Sequence, residues 1–142
     1  MFRAKLKQGK YLKRIIEGIR EIFTDINFDI SAKRIYLQAK DKYNIVRISL
    51  NLSSEGFEEY QCVNPIKLGI SIPNLAKVLH CGGNEDSLTL SCDDEPSKLK
   101  VLFENKSKFN IYKFIFIFQS KKNKCRIRFI FNNYRNRSYT NS

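Results

Sequence analysis

The sequence predicts an α+β domain in which antiparallel sheets pack on two helices. Three observations carry that reading. Short segments alternate apolar and polar residues with period two, the mark of half-buried strands. Two longer segments repeat apolar residues every three or four positions, the mark of amphipathic helices. The order strand, helix, strand, strand, strand then occurs twice, which reads as an internal duplication.

The elements follow in chain order. Phe2, Ala4 and Leu6 alternate with Arg3, Lys5 and Lys7 and predict a first strand. The period then changes. Leu12, Ile15, Ile16, Ile19 and Phe23 fall on one side of a helix predicted over residues 9–22. Strands are predicted at Ile26–Ile30, Ile35–Ala39 and Ile45–Leu52, separated by turns at Ser31-Ala32-Lys33 and Asp41-Lys42. The second unit opens with the alternation Ile66, Leu68, Ile70. Ser71 to Pro73 start a helix, because proline in a first turn has no N–H to waste. Leu75, Val78 and Leu79 form its stripe, and Gly82-Gly83 is expected to stop it. Strand patterns return at Leu88-Leu90-Cys92, at Leu99-Val101-Phe103 and over Phe109–Phe118, and Arg126–Phe131 can pair as one more strand.

At 142 residues the chain is one domain, or one domain with an appendage. It contains no run of about 18 apolar residues, so no membrane-crossing helix is expected. The alternating Met1–Lys5 start lacks the apolar stretch of a signal peptide, so an intracellular protein with no membrane partner is expected. The net charge of +12 is unevenly spread. Residues 105–142 hold ten Lys and Arg and no acid, while residues 1–104 hold the other sixteen with all fourteen acids. The tail from residue 119 on has no clear period. Residues 1–118 are therefore expected to fold as the domain, with 119–142 as a divergent basic tail. The apolar run Ile111–Phe118 would be an aggregation hazard as a free edge.

Little supports catalysis, a metal or a cofactor. Cys62, Cys81, Cys92 and Cys125 form no CxxC pair and read as reduced thiols beside the lone His80. There is no glycine-rich phosphate loop, no GxSxG and no HExxH. Asp25 and Asp29 read as a solvated strand face, and Asp93-Asp94-Glu95-Pro96 as a hairpin turn. Nucleic acid is the better candidate ligand. Lys10, Lys13, Arg14 and Arg20 lie opposite the apolar stripe of the first helix, with Glu17 the one acid among them. Lys77 and His80 do the same on the second helix, and Lys5 and Lys7 add charge from the preceding strand. Such faces attract phosphates without reading sequence. The bland alternative is that amphipathic helices ordinarily carry their cations outside.

A set of short motifs adds to this. They are Met1-Phe2, Ala4, Leu6, Gln8-Gly9, Asp29-Ile30-Ser31, Leu37-Gln38, Ser54-Glu55-Gly56-Phe57, Cys62, Asn64 to Ser71, Lys77, Leu79, Cys81, Gly83-Asn84-Glu85-Asp86 and Phe103-Glu104. In order and spacing they resemble the first domain of proliferating cell nuclear antigen, the eukaryotic DNA sliding clamp. The resemblance covers residues 1–104. It implies a non-enzymatic clamp domain of a homotrimeric ring around duplex DNA, acting in the nucleus as a polymerase processivity factor in replication and repair. It gives Lys13, Arg14, Arg20, Lys77 and His80 a DNA-facing role, with Lys5 and Lys10 nearby. By the same resemblance DNA polymerase, the clamp loader and other replication or repair proteins are partners. Their docking groove would include Lys40, Asn44, Ile45 and Arg47, where charge on Lys40 and Arg47 is expected to oppose an apolar plug if buried. The ring's edge strand would lie near Phe109–Phe118, and the family's second domain is not expected within the remaining residues.

Two further readings stand beside this one. Asn, Lys, Ile, Phe and Tyr are what A/T-rich codons specify, so residues 105–142 can be read as foreign to the clamp fold, in a truncated or mis-predicted product without ring activity. Alternatively the chain is a small basic nucleic-acid-binding fragment that uses its tail as an electrostatic arm.

Overall fold

The alternation at the N-terminus forms strand β1 (Phe2–Leu6), with Phe2 and Ala4 buried and Arg3 exposed. In this computed structural model residues 1–93, 98–105, 107, 110–119 and 124–128 are described. Helix α1 (Lys10–Ile19) buries Leu12, Ile16 and Ile19 and ends three residues earlier than the periodicity predicts. The stripe does not continue: Ile22 is exposed, and Phe23 is buried as the first residue of β2 (Phe23–Ile30). Phe23 pairs with Asp41, and a register shift before Ile26 absorbs Thr24 and Asp25. A sheet position claims the last apolar residue of the helical pattern.

Strands β3 (Arg34–Asp41) and β4 (Arg47–Ser53) follow as predicted, with Ile35, Leu37 and Ala39 buried. Ser54–Gly56 makes a 3-10 turn, capped where Ser53 Oγ accepts from the Glu55 N–H at 3.4 Å. It leads into β5 (Glu59–Cys62), a short strand that the sequence reading did not anticipate. Tyr60 and Cys62 are its half-buried positions, between charged and polar neighbours. The second unit comprises β6 (Ile66–Ser71), helix α2 (Ile72–His80), β7 (Ser87–Cys92), β8 (Lys98–Asn105) and β9 (Asn110–Gln119). Pro73 sits in the first turn of α2, as predicted.

The stop after α2 works differently from the expected left-handed glycine cap. No glycine has positive φ. Cys81 and Gly82 N–H close the helix on Val78 and Leu79 carbonyls at 3.1 and 3.3 Å. Gly82 is needed for space, since a Cβ there would collide with the Phe103 ring. Gly9 has the same role at the start of α1, where a Cβ would come 2.9 Å from Leu88 Cβ.

The strands form a six-stranded sheet in the order β10-β9-β8-β7-β1-β5 and a four-stranded sheet in the order β4-β3-β2-β6, where β10 is Lys124–Arg128. All pairings are antiparallel. The two β-α-β-β-β units exchange their first strands. β1 joins the sheet of the second unit beside β7, and β6 joins the sheet of the first beside β2. Each helix therefore crosses from one sheet to the other, and α1 and α2 meet side by side. The helix stripes and the buried faces of both sheets share one core, from Phe2 through Ile72 and Leu79 to Phe114.

The strand expected over Phe109–Phe118 is present as β9, shifted by one residue. β9 pairs with β8 from Asn110↔Asn105 to Ile117↔Lys98, and its Phe114 is buried in the core, so this stretch is integral to the domain. β9 is also not a free edge, because β10 pairs with it from Lys124↔Gln119 to Arg128↔Ile115. The turn residues Asp94, Glu95 and Pro96 and the end of the predicted strand at Phe129–Phe131 lie outside the described residues, although β7 and β8 pair as the hairpin requires.

Candidate nucleic-acid interface

Crossing from sheet to sheet leaves each helix with one face in the core and one in solvent. On α1, Arg14 is exposed and Lys10, Lys13 and Glu17 are half-buried, all opposite Leu12, Ile16 and Ile19. Arg20 caps the helix, its N–H donating to Ile16 O at 3.1 Å, and its side chain is exposed. On α2, Lys77 and His80 are exposed opposite Leu75, Val78 and Leu79. They fall in the last turn, where the helix carbonyls favour positive charge.

The structure brings Arg20, Lys77 and His80 together. They line one open cleft of ≈ 490 Å³ between the end of α1 and the outer face of α2, with Pro73, Ala76 and Glu21. Glu17 also reaches across from α1, its Oε1 lying 3.8 Å from His80 Nδ1, an ionic contact when the imidazole is protonated. Arg20 Nε lies 3.7 Å from Glu21 Oε1, both side chains being more than half exposed. Exposed pairs of this length hold their partners weakly, so the cations stay available to an incoming anion.

Lys5 stands apart. It sits on the side of β1 opposite Phe2 and Ala4, whereas the helix stripes share the core with Phe2 and Ala4. Its register partners are Glu59 and Thr89, so the sheet separates it from the helix cations. The sequence reading also passed over Tyr11, which is exposed on α1 with Lys10 Nζ 5.6 Å from its ring centre. An aromatic residue outside the apolar stripe of an amphipathic helix was the available signal.

Lys40, Asn44, Ile45 and Arg47 come together at the β3–β4 hairpin. Lys40 and Arg47 are register partners and both are exposed. Between them the loop is held by Asp41, whose Oδ1 accepts from the N–H groups of Ile45 at 2.7 Å and Val46 at 3.0 Å. Asn44 turns the chain with φ of 56°, a conformation that asparagine tolerates. The tip presents Tyr43, Ile45 and Val46 to solvent, with Ile45 80% exposed.

The signature motifs themselves are structural. Phe57 packs against the core and tilts on Tyr60, their ring centres 5.3 Å apart. Tyr60 Oη donates to Ser31 O, tying β5 to the other sheet. Burial pushes this phenol up to about 12. Asp86 is 5% exposed, and its carboxylate accepts from Gly83 N–H at 2.7 Å and from Asn105 Nδ2 at 2.8 Å. Its carbonyl accepts from Gly9 N–H at 2.9 Å, so one residue joins the α2–β7 turn, the end of β8 and the start of α1. Cys62 and Cys92 flank Phe2 on the two neighbouring strands, too far apart to bridge. The Cys92 thiol is pushed up to about 12, chiefly by burial. Asp25 and Asp29 lie on the exposed face of β2. Among the described residues no three His, Cys, Asp or Glu side chains cluster as metal ligands.

Compared with known protein families, the chain matches the model of the proliferating cell nuclear antigen N-terminal domain over residues 1–120. The match passes Glu104, where the motif resemblance fades, and takes in all of β9. Residues 105–120 are therefore not foreign to the fold.

Proposed function

The chain belongs to the family of the proliferating cell nuclear antigen N-terminal domain, and from that premise we propose that it is a DNA-facing clamp domain that raises polymerase processivity. Domains of this family are non-enzymatic scaffolds of the sliding-clamp type. The finer reading concerns how this chain would serve such a role. The observation that carries it is the adjoining pair of helix faces, with Arg14 on α1 and with Arg20, Lys77 and His80 around one cleft.

The chemistry fits a surface that must hold DNA and still move along it. Exposed Lys, Arg and His at helix surfaces bind phosphates by charge and release counterions without consulting the bases. Glu17 and Glu21, placed among the cations, moderate the attraction. Lys10 and Lys13 extend the same face toward the start of α1. In this reading the duplex passes along α1 and α2, the site acts in the nucleus, and rings of several subunits encircle it. The hairpin tip at Tyr43, Ile45 and Val46, framed by Lys40 and Arg47, docks a segment of the polymerase, the clamp loader or a repair protein. Residues 1–118 form the working domain, and 119–142 a basic extension of which Lys124–Arg128 adds the outermost strand to the domain's sheet.

A second reading is favoured by one observation. The ten cations and absent acids of residues 105–142 suit an electrostatic arm for nucleic acid. A primer-extension assay with DNA polymerase and a clamp loader tests the leading proposal. Longer products on adding the chain are expected. Unchanged product length would reject processivity function.

A further inference from the structure

Lys5, set apart from the helix cations, is not the sole cation on its side of the six-stranded sheet. Leu99, Val101, Phe103 and Phe114 of that sheet are buried in the core. Alternation therefore places Lys98, Lys100 and Leu102 of β8, with Ile111, Lys113 and Ile115 of β9, on the outer side. Lys98 is exposed and the other five are half-buried. The pairing sets lysine against aliphatic neighbour, Lys100 against Ile115 and Lys113 against Leu102. Register carries the alternation into β10, where Lys100–Ile115–Arg128 and Lys98–Ile117–Arg126 each read cation, aliphatic, cation. Acids are few here. Asp93 Oδ2 lies 3.7 Å from Lys100 Nζ, and Glu104 follows at the far end of β8. Among the described residues Lys98 and Lys113 take part in no ion pair.

We propose that this outer face of β8 and β9 is a docking surface for an acidic protein segment that carries aliphatic side chains between its acids. The charge of the face sets the sign of the partner, and its aliphatic positions set the partner's apolar content. An extended segment presents same-side residues about 6.7 Å apart, the spacing of Lys98 and Lys100 and of Ile111, Lys113 and Ile115 along their own strands. Its carboxylates meet the lysines while its aliphatic groups cover Leu102, Ile111 and Ile115. Nucleic acid fits this face less well. A run of phosphates has nothing apolar to set against the aliphatic positions, and none of the six outward residues is aromatic, so bases find no stacking platform. The face lies across the sheet from α1 and α2, so the inference does not rest on DNA binding there.

The test measures fluorescence anisotropy of labelled peptides with the full-length chain over a salt series. A peptide of Glu-Glu-Val-Val repeats places acid and aliphatic groups alternately on each side of an extended chain. It is expected to bind, more weakly as salt rises. A Glu-Glu-Gln-Gln peptide of equal charge and a neutral Gln-Gln-Val-Val peptide should each bind at least about tenfold more weakly. Lys98→Glu with Lys113→Glu should weaken binding at least about tenfold, and Lys98→Gln with Lys113→Gln at least about threefold. Arg14→Glu with Lys77→Glu should leave it within about twofold. Amide exchange checks that β8 and β9 keep their protection; where the reversal disturbs them, the glutamine pair alone decides. Equal or tighter binding of the Glu-Glu-Gln-Gln peptide, or of a single-stranded oligothymidylate of the same charge, overturns the proposal. So does peptide binding that survives the lysine substitutions, or that is lost with the helix-face reversal.

Discussion

Replacing Asp86 by alanine removes a knot that three separate elements share. The carboxylate is almost fully buried and accepts two hydrogen bonds, from Gly83 N–H at 2.7 Å and Asn105 Nδ2 at 2.8 Å. Each bond to a charged group contributes about 1.5–3 kcal/mol, but the two share one acceptor group and do not add fully. Alanine also leaves the Gly83 N–H and the Asn105 amide without this acceptor. The expected loss is therefore about 2–4 kcal/mol, and in a chain of this size about 8–16 °C in Tm. Asp86→Asn keeps one carbonyl acceptor and should lose about half as much. Asp29→Ala is the matched control. Asp29 belongs to the same set of family motifs but lies on the solvent face of β2, so its change should stay within about 0.5 kcal/mol. Urea unfolding followed by circular dichroism measures all three. A loss below about 1 kcal/mol for Asp86→Ala, or one no larger than for Asp29→Ala, would refute the assignment of Asp86 as a structural tie.

Three other outcomes are expected. Gly18→Ala on α1 should stabilise the domain by about 0.5–1 kcal/mol in the same urea assay, because glycine is costly inside a helix and a Cβ there meets open space. Thr89→Val on β7 should be neutral or stabilising by about 1 kcal/mol in thermal melts, because the buried Thr89 Oγ1 has no hydrogen-bond partner. Stability should fall as pH rises above the ordinary thiol and phenol values. Cys92 and Tyr60 are both held protonated in the fold up to about 12, so between their ordinary values and 12 the unfolded chain releases protons that the folded chain keeps. Urea midpoints at stepped pH should show the decline starting at about 9, and Cys92→Ala should make it shallower between about 9 and 10, leaving the part due to Cys62, whose thiol burial also pushes up, before Tyr60 takes over.

The elements were legible where one period ran uninterrupted. β1, β3, β6 and the stripes of both helices follow directly from alternation and from the spacing of Leu12, Ile16, Ile19, Leu75 and Leu79. Reading failed where two structures compete for one residue. Phe23 continues the helical spacing but is claimed by β2, so the helix was predicted too long. β5 was invisible because Glu59-Tyr60-Gln61-Cys62 has only two apolar positions, both half-buried at a sheet edge. The exchange of first strands between the two units leaves no local trace, since pairing depends on the partner strand and not on the strand's own pattern. For the site, spacing alone put the cations of α1 on one face. It could not show that Arg20 would share a cleft with Lys77 and His80, or that Lys5 would lie across the sheet from them.

The central claim is that the outer faces of α1 and α2 hold duplex DNA by charge alone. The most direct measurement is the affinity for duplex DNA over a series of salt concentrations, on two unrelated sequences. The unaltered chain is set beside Arg14→Glu with Lys77→Glu, and beside Lys121→Glu with Lys122→Glu in the tail. The account predicts equal affinity for both sequences. It also predicts that the helix-face reversal weakens binding and flattens the salt slope by about one unit per lost phosphate contact. A helix-face reversal that binds as before, with the tail reversal alone abolishing affinity, would contradict it.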